Sequence, residues 1–164
     1  MTAVITLISV IAIAAAGSGS GPDDRVVQTS LTVTRLSTQA VKLPRDSGIP
    51  AEMLSVIKDE AAWKAFWKTI HENQTPAPPV PAIDFSREMV VVAAAGMKPS
   101  SGYAMQVMSA SEAKGEVTVV VQATSPGAGC MNAMMMTSPV DIARIPKRDG
   151  QVRFDVKRVT RDCK

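Results

Sequence analysis

Two cysteines and one histidine are the side chains in this 164-residue chain best suited to covalent chemistry. A nucleophilic pair would have to join His71 to Cys130, with the imidazole drawing the proton from the thiol. Two thiols in an exported chain also make one disulfide, Cys130 to Cys163. Closing that loop stabilises a fold by roughly 3–4 kcal/mol in the chain-entropy picture. It would tie the C-terminal tail to the glycine-rich stretch Pro126-Gly127-Ala128-Gly129. Two unpaired thiols are the other reading. His71 lies one helical turn after Trp67, where an imidazole caps a helix and meets its dipole. No HExxH, CxxC, phosphate-binding glycine loop or carboxylate pair at helical spacing occurs. The expectation is therefore a protein that is not an enzyme, with no catalytic residues, no metal ligands and no cofactor.

Two segments have the composition of contact surfaces. Met134, Met135 and Met136, with Met131 just before them, form a soft apolar group beside Cys130. Methionine fills irregular gaps at a core edge, and it also makes adaptable protein contacts. Lys98-Pro99-Ser100-Ser101-Gly102-Tyr103 combines a fixed φ, backbone-bonding hydroxyls, a permissive glycine and a large amphipathic ring. That loop serves either as a strand connection with Tyr103 anchored in the core, or as a presented contact loop. The candidate partner contacts are thus Pro99, Ser100, Ser101, Gly102, Tyr103, Met134, Met135 and Met136.

The elements that must position these residues are mostly strands. Val26 to Thr34 is rich in β-branched residues and reads as one strand. Glu60 to His71 is the clear helix, with Trp63, Phe66, Trp67 and Ile70 on one stripe and Asp59 as N-cap. Four prolines between Pro76 and Pro81 break regular structure. Met89 to Ala95 is apolar on both faces and belongs in the middle of a sheet. Tyr103–Met108 and Val117–Gln122 form a hairpin about Lys114-Gly115. Val140–Ile145 and the alternating Val152–Lys157 complete a count of about six strands. The predicted class is α+β, a mixed or mostly antiparallel sheet with one main helix packed on it.

Nearly half the residues are apolar, and the length suits one domain with a real core. The apolar run from Ala3 to Ala16 is too short to span a bilayer and ends in small residues, as a secretory signal peptide does. Residues 1–21 are read as signal peptide and Gly/Ser linker, with an uncleaved membrane anchor or a mis-called start as the other readings, and 22–164 as a single domain. The expected location is periplasmic or extracellular, with no stable membrane span after cleavage. The last third is basic, but Asp149, Asp155 and Asp162 stand among its Lys and Arg residues and Phe154 is its single aromatic, which argues against nucleic acid.

Several of these segments, taken in order, resemble the C-terminal domain of the protease complex subunit PrcB. They are the Trp63/Trp67 helix, the proline-rich connector, Ile83-Asp84-Phe85-Ser86, Gly96 to Tyr103, Pro126 to Cys130, and Thr137-Ser138-Pro139. The resemblance is strongest over 52–163. The family's loop reads Pro-Thr-Gly-Gly-Tyr, so Ser100 and Ser101 depart from it, and Ser101 implies that its position needs no positive φ. The resemblance implies an exported bacterial accessory domain that associates with and stabilises a surface protease complex. A second, local likeness joins Pro99–Tyr103 to the Pro-Thr-Thr-Gly-Tyr/Phe loop of chagasin-type peptidase inhibitors, which are all-β sandwiches. It implies the alternative of a peptidase inhibitor acting through that loop.

Overall fold

The computed structural model describes residues 27–37 and 42–163. The apolar run and Gly/Ser stretch at 1–21 lie outside them. Among the described residues the chain forms eight strands and one helix. These are β1 (Thr29–Leu31), β2 (Thr34–Arg35), β3 (Met53–Ile57), α1 (Glu60–Ile70), β4 (Glu88–Ala94), β5 (Ala104–Ala113), β6 (Glu116–Pro126), β7 (Val140–Pro146) and β8 (Val152–Arg161). No described helix is long and apolar enough to cross a membrane.

The strands make two four-stranded sheets, ordered β1-β5-β6-β8 and β2-β7-β4-β3. All pairings are antiparallel except β6 with β8. The α+β class and the single packed helix agree with expectation; the one sheet of about six strands does not. The expected strand at 26–34 is in fact two short strands, one in each sheet, and β3 was not anticipated. Period-two alternation tells which side chains point inward, but two stacked sheets show the same alternation as one.

β4 shows why the central run is apolar throughout. Met89, Val91 and Ala93 face the other sheet, packed with Val107, Val119 and Val121. Val90, Val92 and Ala94 face the helix, packed with Trp63, Trp67 and Ile70. A strand covered on both faces cannot alternate. The molecule is thus three layers: sheet, sheet, helix.

Helix α1 starts where Asp59 accepts the Ala62 N–H at 2.8 Å, the expected N-cap. Its two buried tryptophans also hold the proline-rich connector. Trp63 Nε1 donates to the Pro81 carbonyl at 2.9 Å, and Trp67 Nε1 donates to that of Pro78 at 3.1 Å. A chain segment with few N–H groups of its own is fastened by donors from the helix. Further on, Asp84 Oδ1 accepts the Ser86 N–H at 3.0 Å, so Ile83–Ser86 is a side-chain-closed turn feeding β4. The Lys114-Gly115 turn has both residues at positive φ, 51° and 76°, as a tight two-residue hairpin requires.

Candidate functional site

The chain changes sheets at one end of the sandwich. Residues 95–103 carry it from β4 to β5, and residues 127–139 carry it back from β6 to β7. Because β8 runs parallel to β6, the C-terminal tail emerges at the same end. The eight candidate contact residues all lie on these two crossing loops.

Gly96, at φ +74°, opens the first crossing; a Cβ there would sit 2.6 Å from the Ala51 backbone carbon, so only glycine fits. The loops are then joined rung by rung. Lys98 N–H donates to the Thr137 carbonyl at 2.7 Å, and Thr137 N–H returns to that of Lys98 at 3.0 Å. Thr137 Oγ1 donates to the Ser100 carbonyl at 3.0 Å. Ser101 N–H donates to the Ala133 carbonyl at 2.9 Å, while Ser101 Oγ accepts the Ala133 N–H at 3.0 Å. The hydroxyl of Ser101 thus does a job that glycine could not, and Ser101 is not among the positive-φ residues. Gly102 is, at φ +95°, with its missing Cβ facing Asn132 Oδ1.

Beneath the loops, buried Ser138 Oγ donates to the Ile49 carbonyl at 2.8 Å and sits 2.9 Å from Ser47 Oγ. Cys130 is joined to Cys163 by a disulfide, Cα–Cα 4.9 Å, which fastens the tail to the second loop. With its sulfur so engaged, Cys130 is not a free nucleophile. His71 caps α1 as expected; its buried ring donates from Nδ1 to the Trp67 carbonyl at 3.0 Å.

Tyr103 is half-buried, not a core anchor, and Lys98 Nζ lies 5.7 Å from its ring centroid. It lines a cleft of about 230 Å³ with Arg45, Met135, Thr137 and Pro139. Behind it, Arg158 on β8 clasps Glu52 through two hydrogen bonds of 3.0 and 2.9 Å. The Arg158 guanidinium holds the Glu52 carboxyl below its ordinary value of 4.5.

The methionines do not fill a core edge. Met131 is fully exposed, Met134 88%, Met135 48% and Met136 53%. Sequence reasoning could show their softness but not their side of the surface. It also passed over Asp141, 2% exposed on β7, which bonds Arg35 and the β5 backbone; an acidic residue in an apolar strand was the available signal. A larger cleft of about 430 Å³ opens at Asp84, Arg87, Glu88 and Arg144, away from all the candidate residues.

Fold and site together define an α+β two-sheet sandwich whose hydrogen-bonded crossing loops build a platform edged with exposed apolar side chains. Residues 89–146 match the model of a family described as PrcB C-terminal. The matched stretch runs from β4 to β7 and contains both crossing loops whole, but neither α1 nor Cys163. No curated protein and no solved structure matches.

Proposed function

We propose that this chain is an exported, non-enzymatic accessory domain that docks on a secreted or surface protease through the loop platform. The observation that carries this reading is the family match, because residues 89–146 include both loops. Exposed methionines on a framed backbone support it, since apolar side chains held in water at one place mark a protein contact. The test is recovery of a peptidase, identified by mass spectrometry, from envelope extract by the tagged chain. Recovery by wild type and its loss with Met134→Asp/Met135→Asp supports docking at this platform. Equal recovery by both places the contact elsewhere.

A second reading is direct inhibition of a peptidase through Pro99–Tyr103. It rests on the local likeness of that loop to the inhibitor loop, and the loop lies where the chain crosses between the two sheets. Titration against papain-like and subtilisin-like peptidases decides it, and undiminished activity at excess inhibitor would sink it.

A further inference from the structure

We propose that Met131, Met134, Met135 and Met136 form a thioether site for a soft monovalent cation of the Cu(I) or Ag(I) kind. Burying a methionine contributes about 1.5–3 kcal/mol, and the fold collects little of that from these four. Of these four thioethers within six positions, Met131 and Met134 stand almost wholly in water, and Met135 and Met136 are about half exposed.

Their backbone is nevertheless held. The disulfide fixes Cys130, the Ser101–Ala133 pair of bonds fixes the middle, and the Lys98–Thr137 pair closes the far side. Asn132 Nδ2 donates to the Cys130 carbonyl at 3.2 Å. The Met135 N–H donates to the Ala133 carbonyl at 2.9 Å, a three-residue turn with Met134 at its apex. Met134 lies within two or three residues of each of the others except Met135, its direct neighbour, so each is within roughly 10 Å of it, and a methionine side chain has three rotatable bonds. Several sulfurs can therefore meet one ion while the anchored backbone stays in place.

The ligand type sets the ion. A thioether is neutral and polarisable, which suits soft Cu(I) and not Mg(II) or Ca(II). Among the described residues no group of three or more His, Cys, Asp or Glu is placed to hold a metal ion. Thioethers carry no proton to displace, so affinity should be flat with pH, unlike that of a thiolate or imidazole site. Binding involves no change of oxidation state and does not depend on the docking reading.

The test uses the full chain with its disulfide intact, verified by mass after thiol alkylation. Ag(I) is titrated calorimetrically, Cu(I) against a chromogenic chelator, and methionine methyl signals are followed by NMR. One ion per chain is expected, moving the methyl signals of Met131, Met134, Met135 and Met136 and leaving buried Met89 and Met105 still. The quadruple Met→Leu variant, shown folded by its melting curve, is expected to lose at least about tenfold in affinity. Absent binding, equal affinity in that variant, or shifts confined to Met97 and Met108 would each overturn the proposal.

Discussion

Asp141 Oδ2 on β7 accepts the backbone N–H of Val107 on β5 at 2.8 Å, a hydrogen bond that runs from one sheet of the sandwich to the other. β5 is irregular at that point: its register against β6 shifts between Val107 and Ser109, and on its other side β1 pairs only with Ala110, Ser111 and Glu112. A bulge leaves a backbone group without a ladder partner. Asp141 supplies one from across the core, and Arg35 on β2 in turn holds its Oδ1 at 3.0 Å.

Removing that carboxylate strands a buried donor. Asp141→Ala is expected to destabilise the fold by about 1–3 kcal/mol, the usual cost of an unsatisfied buried group. Asp141→Asn, which retains an acceptor, is expected to lose less. Urea denaturation of the three proteins gives the order, and an Asn variant weaker than the Ala variant would contradict the role assigned to the acceptor.

The tryptophan clasps on the connector can be separated from tryptophan packing. Trp63→Phe keeps most of the apolar bulk but loses the bond to the Pro81 carbonyl. A loss of about 1 kcal/mol is expected, against about 3–5 kcal/mol for Trp63→Ala. If the two variants melt together, the indole N–H, and not the apolar bulk, carries most of the contribution of Trp63.

Gly102 sits at φ +95° with Asn132 Oδ1 in the place of a Cβ. Gly102→Ala is expected to cost about 1 kcal/mol or more through the backbone alone. Adding Asn132→Ala relieves the contact but not the φ, so the double variant should recover only part of the loss. Full recovery would show that strain in the loop is steric and not conformational.

The Glu52–Arg158 clasp gives a pH dependence of defined sign. Glu52 has a folded-state value below its ordinary 4.5, lowered first by the Arg158 hydrogen bond. Its contribution is therefore present above the ordinary glutamate range and lost as pH falls through the lowered value. Both side chains reach solvent, so the effect is small and screened by salt. Wild type is expected to exceed Glu52→Gln in melting temperature at neutral pH, with the gap narrowing in acid. A gap that widens in acid reverses the sign.

Much of this fold could be read from the residues, and the unread parts have definite causes. The helix stripe, its Asp59 cap, the doubly buried β4 and the Lys114-Gly115 turn all follow from local periodicity and turn chemistry. The split into two sheets does not, because inward and outward alternation is blind to which sheet a strand joins. β3 escaped for the opposite reason: Met53–Ile57 is short, half-buried along most of its length and carries Ser55 in its centre. The candidate loops could be picked out by composition, but their joining through Ser101–Ala133 and Lys98–Thr137 is a product of topology. The same holds for the methionines, whose exposure depends on which way the second crossing loop turns.

The most direct test of the platform as a protein contact is photo-crosslinking in envelope extract, with a photoreactive residue at position 135 or 108. Met135 and Met108 are almost equally exposed, at 48% and 49%, but Met135 lies on the platform and Met108 on β5. Exposure alone would label both alike. If the platform docks, the probe at 135 captures one peptidase, identified by mass spectrometry, and the probe at 108 does not. Capture of the same peptidase by both probes, or by the probe at 108 alone, would contradict docking at the crossing loops.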